Sequence, residues 1–194
     1  MPILLNWTTG YRITLFISVI CLAALTIRIT TKTPDIYDSL TDVADDIERR
    51  FPSVTHISVA QLVPLLTAKQ KSEGVLVLDS RTRDEYSVSH LPGALLYIDT
   101  PELKERIRRA SASRLPIFIY CSVGYRSSEL VERLQEDGLN SIYSLKGGIF
   151  EWANRGLPLE TTDSKPAYKV HPFDSAWGKY IRPGLRAKDL KKLM

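Results

Sequence analysis

Apolar and polar positions along the chain alternate between two rhythms. Four short runs, Val75–Asp79, Ala94–Ile98, Ile117–Tyr120 and Ser141–Leu145, are apolar on successive positions and rich in branched or aromatic residues. Strands covered on both faces read this way. Between and around them lie stretches with helical spacing: Ser58–Lys69, Pro101–Ser113, Ser127–Asp137 and Gly148–Arg155. Alternation of this kind predicts an α/β fold with a parallel sheet. Upstream, Ile36, Leu40, Val43, Ile47 and Phe51 recur every three or four positions behind Thr33-Pro34. That spacing predicts a linker helix over Pro34–Arg50, started by a capping residue with proline at the first helical position.

The amino-terminal end differs in kind. Between Arg12 and Arg28 lie fifteen uncharged, mostly apolar residues. A membrane span needs about 17 to 25 residues, but the two arginines can snorkel to the interfaces and Ile29 extends the apolar stretch. The reading is an N-terminal hydrophobic helix that anchors the chain through residues 13–29 in a single pass, in a bacterial inner membrane, with the side of the remaining domain undetermined. A cleaved signal peptide, leaving a secreted or periplasmic protein, is the competing reading, although Cys21-Leu22-Ala23 and Ala24-Leu25-Thr26 only approximate a cleavage site. The organisation is then an anchor or signal segment over 1–31, a linker helix within 32–54, one domain over 55–159, and a tail over 160–194.

Composition narrows the function classes. In 194 residues, 44% apolar and 25% charged, there is room for one core and no case for wholesale disorder. From Glu160 onward, eight Lys or Arg stand against four acids, which accounts for the whole net charge of +4. A basic tail is ordinarily solvated, and nucleic-acid binding is not expected. The tail is also aromatic, with Tyr168, Phe173, Trp177 and Tyr180, so part of it should dock on the domain, either as packing or as a cover over the reactive loop. Two cysteines, Cys21 and Cys121, and three scattered histidines, His56, His90 and His171, fall in no metal-ligand spacing. No metal or cofactor is implied.

The chemistry points to Cys121. A buried-looking strand runs straight into Cys121-Ser122-Val123-Gly124-Tyr125-Arg126-Ser127 and then into a helix. A sulfur at a helix amino terminus meets unpaired N–H groups and the positive end of the macrodipole, which favour negative charge. Gly124 lets the loop curl so that amides from Ser122 to Ser127 form an anion nest, and Arg126 adds a full positive charge.

This loop is similar to the Cys-x-x-Gly-x-Arg/Thr loop of the rhodanese-like sulfurtransferases. The second signature, Asp79-x-Arg81-x3-Glu85-Tyr86-x3-His90-Leu91-Pro92-Gly93-Ala94, also matches, as does Leu145-Lys146-Gly147-Gly148 with Trp152 and Gly156-Leu157-Pro158. The resemblance covers about Thr55–Leu159 and implies a single rhodanese domain: a five-stranded parallel sheet with helices on both faces and the cysteine loop at its carboxyl edge. It also implies a sulfurtransferase that moves a sulfane sulfur from a small anionic donor such as thiosulfate, through a persulfide on Cys121, to cyanide or a thiol acceptor. Asp79, Arg81, Glu85 and His90 read as structural supports of the loop, with Arg81 the one that could reach a bound anion. Where many thiosulfate-using members carry a basic residue, this chain has Ser122, which weakens the case for a free dianion. Two alternatives stand beside this reading. One is a membrane-tethered module that binds or senses without turnover. The other is a phosphatase, for which the Cys-x4-Arg spacing makes the cradle one residue too small.

Overall fold

A computed structural model describes residues 38–69 and 74–188. The N-terminal stretch assigned above to an anchor lies outside them; no helix among the described residues is long and apolar enough to cross a membrane.

Five parallel strands form the central sheet: β1 (His56–Ile57), β2 (Leu76–Asp79), β3 (Leu95–Leu96), β4 (Ile117–Tyr120) and β5 (Ile142–Leu145), in the order β1-β5-β4-β2-β3. Every residue of β2 and β4 is buried. Successive strand side chains point to opposite faces, so both faces of the sheet are covered. The register sets Asp79 beside Tyr120 across β2 and β4. β4 is the middle strand, and the chain reaches it by crossing back from the β3 edge, so the loop after it opens at a topological switch point.

The helices are α1 (Leu40–Arg50), α2 (Val59–Lys69), α3 (Arg83–Val88), α4 (Pro101–Ala112), α5 (Tyr125–Glu136) and α6 (Gly148–Asn154). Two boundaries differ from the sequence expectation for a physical reason. Among the described residues α1 starts at Leu40, because Ser39 and Asp42 form a reciprocal capping box. Helix α5 starts at Tyr125, two residues early, because Gly124 takes φ 115° at its N-cap and turns the chain there. The expected strand over Ala94–Ile98 shortens to Leu95–Leu96 at the sheet edge.

The core gathers more than the sheet and its helices. Leu40, Val43, Ile47 and Phe51 of the α1 region belong to it, and so do Val170, Tyr180 and Ile181 of the tail. After an antiparallel hairpin of β6 (Leu159–Glu160) and β7 (Pro166–Ala167), the tail is held by main-chain bonds between Val170, Leu185 and Ala187. Asn154 at the end of α6 donates to the Tyr180 carbonyl at 2.7 Å and accepts from the Arg182 amide at 2.9 Å.

Candidate active site

Three loops meet at the carboxyl ends of β2, β4 and β5. The β4 loop carries Cys121, Ser122 and Val123, all buried, with Cys121 only 1% exposed. Its path is fixed by α6: the Ile149 amide donates to the Cys121 carbonyl at 2.9 Å and the Phe150 amide to the Ser122 carbonyl at 3.1 Å. A trans peptide points its C=O and N–H in opposite directions, so the Ser122 and Val123 amides are turned away from α6. Gly148 makes this approach possible. A Cβ there would sit 2.3 Å from the Cys121 oxygen.

The sulfur has polar neighbours despite its burial. The Gly124 amide donates to Cys121 Sγ at 3.2 Å, and Ser127 Oγ lies 3.9 Å from it. Of the amides expected to form an anion nest, this is the one bonded to sulfur. Tyr125, at the start of α5, is the exposed member of the loop and packs edge-on against Phe51 at 5.3 Å.

Arg126 does not stand as a free positive charge. It forms a two-pronged pair with Glu85, Nη1 to Oε2 and Nη2 to Oε1, both 2.8 Å, and Ser122 Oγ donates to the same carboxylate at 2.9 Å. Burial alone would raise the Glu85 carboxyl. The hydrogen bonds and charge of Arg126, the Thr82 amide and the nearby Arg81 outweigh it and bring the value down to about 2. Burial likewise opposes the charge on Arg126, but Glu85 and the nearby Cys121 sulfur raise its value, so both partners are ionised. Glu85 is placed for this by α3, whose N-terminus is a capping box between Thr82 and Glu85. It ties the β2 loop to the β4 loop.

Arg81, the arginine expected to support the loop and able to reach a bound anion, is held in the loop after β2. Its guanidinium is fully buried on Asp79, at 2.9 and 3.1 Å through Nε and 2.7 Å through Nη2, and it also donates to the Ser89 carbonyl at 2.6 Å. Through Nε and Nη2 it supports the β2 loop, while its Nη1 is buried without a hydrogen-bond partner. Asp79 also accepts from Tyr120 Oη at 2.7 Å, and His90 stacks on Tyr86 at 3.8 Å.

The tail reaches the same place. The Phe173 ring lies 5.1 Å from the Arg126 guanidinium, in cation–π contact. Phe173 takes φ 66°, unusual for a bulky residue, and its amide donates to His171 Nδ1 at 3.0 Å. His171, whose imidazole burial pulls below the usual value, is within electrostatic reach of Glu85, Arg81, Asp84 and Arg126. Among the described residues no group of His, Cys, Asp or Glu is arranged to hold a metal. The sequence reading makes Glu85 a support of the loop and the aromatic tail either packing or a cover over it; the specific pairing of Glu85 with Arg126 and the place of Phe173 on Arg126 come from the fold. Only the fold brings these three together.

Comparison with known proteins identifies the family. The model of the rhodanese-like domain family matches residues 62–155. A thiosulfate sulfurtransferase GlpE of Coxiella burnetii is 28% identical over 102 residues, 53% of this chain and 87% of the relative. The protein of the same name from Shewanella oneidensis is 32% identical over 100 residues, 52% of this chain and 93% of the relative. Among solved structures, a thiosulfate sulfurtransferase from Pseudomonas aeruginosa superposes over 73% of this chain and 26% of its own, with a TM-score of 0.49 and 20% identity. At the identity and coverage of the Shewanella relative, the chain belongs to the rhodanese-like family, as a sulfurtransferase of the rhodanese type.

Proposed function

We propose that Cys121 carries the transferred sulfur. Its thiolate attacks the outer sulfur of a sulfane donor; the new S–S bond forms as the donor's own bond to that sulfur breaks, and the donor's remainder leaves with the electron pair, as sulfite when the donor is thiosulfate. A nucleophilic acceptor, cyanide or a thiolate, then attacks the outer sulfur of the persulfide and expels the Cys121 thiolate. The observation that carries this is the Gly124 amide on Sγ at 3.2 Å, at the head of α5 and beyond the central strand. A donor positioned there stabilises charge on sulfur in both half-reactions without reorganising.

Charge bookkeeping narrows the donor. Arg126 is matched by Glu85, and Ser122 adds no charge, so the loop presents little net positive charge to a dianion. The arrangement suits a donor of lower charge, such as the persulfide of a thiol, better than free thiosulfate. Mass spectrometry of the protein after incubation with thiosulfate or with a small-molecule persulfide should find a single added sulfur on Cys121, formed faster from the persulfide and absent in Cys121→Ser. No added sulfur from either donor would refute the reading. The same proposal places the domain on a membrane through residues 13–29, on the sequence argument alone. Release of the full chain by alkaline carbonate without detergent would oppose that part.

A further inference from the structure

Cys121 Sγ ends a chain of buried polar groups that the two sulfur-transfer steps do not use. Ser127 Oγ lies 3.9 Å from Sγ, Ser144 Oγ 2.9 Å from Ser127 Oγ, Ser128 Oγ 3.1 Å from Ser144 Oγ, and His56 Nε2 2.9 Å from Ser128 Oγ. All three serines are 0% exposed, whereas His56 is half-buried and reaches solvent. The fold assembles them from separate elements. The parallel register of β1 and β5 sets His56 beside Ser144, and the first turn of α5, which packs on β5, supplies Ser127 and Ser128.

Three hydroxyls in an apolar core are costly unless each is bonded, and alanine would fill the same space without that demand. We propose that His56 is a positioning residue for Cys121, acting through Ser128, Ser144 and Ser127 as a proton relay between the reactive sulfur and solvent.

The relay has two settings. The Gly124 carbonyl lies 3.0 Å from Ser127 Oγ and 2.8 Å from Ser128 Oγ, so each hydroxyl can give its single proton to that oxygen or to its neighbour in the chain. The structure has Ser128 donating to Ser144 and Ser127 donating to Sγ, the thiolate setting. In the thiol setting the hydroxyls turn the other way, with S–H donating to Ser127, Ser127 to Ser144, Ser144 to Ser128 and Ser128 to His56 Nε2. One shift along the chain breaks the S–H bond and three O–H bonds and forms three O–H bonds and one N–H bond. It leaves a thiolate that accepts from Ser127 and an imidazolium that gives up a proton to water. Nothing is oxidised or reduced. The second setting persists through the persulfide cycle and receives the thiolate when the acceptor departs with its sulfur.

The surroundings of His56 suit a transient proton acceptor. Burial holds its imidazole below the usual value, Glu48 of α1 pulls it upward, a hydrogen bond with the Val54 backbone does the same, and Lys146 after β5 pushes it down. The ring is therefore neutral near pH 7 and free to take a proton at Nε2.

The inference rests on Cys121 as the nucleophile, and its test reads the sulfur without requiring sulfur transfer. The rate of alkylation of Cys121 by iodoacetamide is followed on the full chain from about pH 5 to about pH 9, resolved from Cys21 by peptide mass spectrometry. The wild type should show a histidine inflection. His56→Gln keeps a hydrogen bond to Ser128 but cannot titrate; Ser144→Ala cuts the chain while Ser127 and Ser128 keep the Gly124 carbonyl. Both variants should lose the inflection and react about tenfold more slowly at neutral pH, with thermal melts close to wild type. Where Ser144→Ala fails to fold, Ser128→Ala cuts the next link. A wild-type profile without the inflection overturns the relay. So does an inflection that survives Ser144→Ala but not His56→Gln, because His56 would then act through space. Persulfide formation scored on the same samples separates this result from the sulfur-carrier proposal: a relay signature without added sulfur would refute the carrier role alone.

Discussion

Replacing Glu85 with glutamine removes one negative charge from beneath the reactive loop while keeping the shape of the side chain. In the folded protein the carboxyl sits at about 2 against an ordinary value of 4.5. At 1.36 kcal/mol per unit this difference stabilises the folded state by about 3 kcal/mol at neutral pH. Because the folded value is the lower one, the contribution is complete above the unfolded value and is lost as pH falls through the folded value. By pH 3 about 2 kcal/mol of it should be gone. Glutamine can still accept from Thr82, so Glu85→Gln should cost about 2 to 3 kcal/mol at pH 7, part of it the penalty of leaving Arg126 unmatched. With a urea slope of about 2 kcal/mol per molar, the midpoint should fall by about 1 to 1.5 M. The gap between wild type and variant should stay constant from pH 7 to about pH 5 and narrow below it. Equal stabilities at pH 7, or a gap unchanged at pH 3, would refute the argument. The same variant unmasks Arg126, so thiosulfate should be taken up with a lower KM than in wild type. An unchanged KM would sink the charge argument about the donor.

Gly148→Ala should destabilise by more than about 3 kcal/mol in thermal or denaturant unfolding, since the new Cβ meets the Cys121 and Ser122 carbonyl oxygens at 2.3 and 2.6 Å on a backbone with φ 55°. Gly138→Ala, at φ 81° in open space, should cost only about 1 kcal/mol; equal losses would mean that the contact with the loop carries no strain. Phe173→Ala should leave unfolding nearly unchanged and speed alkylation of Cys121, whereas truncation after Leu159 should cost several kcal/mol, because Val170, Tyr180 and Ile181 are core residues worth roughly 1.5 to 3 kcal/mol each. A truncated chain as stable as the full one would show that the tail is not part of the core.

What could be read from the sequence follows from how local each signal is. β2, β4 and β5 were legible because strands buried on both faces are continuous apolar runs. β1 was not: it is two residues, His56–Ile57, and its pairing with β5 is a long-range choice. α3 carries no apolar period and rests on its capping box, so RDEYSV gave nothing to a periodicity search. The cysteine loop was visible because its chemistry is written in seven adjacent residues. Glu85 and Arg126 lie 41 positions apart, and only tertiary structure joins them. His56 looked like an isolated histidine, and Ser144 like a polar interruption in a strand, for the same reason. The expected helix over Pro34–Arg50 has its first residues outside the described ones, and the break at Ser39 was missed because the Ser39-x-x-Asp42 box went unread.

Three consecutive residues of the reactive loop are touched by chain from outside the catalytic segment. Ile47 Cδ1 lies beside Gly124, Phe51 meets Tyr125, and Phe173 covers Arg126. The nucleophile is thus clamped by both flanks of its own polypeptide, and a tug on either flank has a short mechanical route to the sulfur. A fragment trimmed to residues 62–155, which the family model matches, would keep the motif and lose the clamp, so its reactivity would describe a looser enzyme than the full chain.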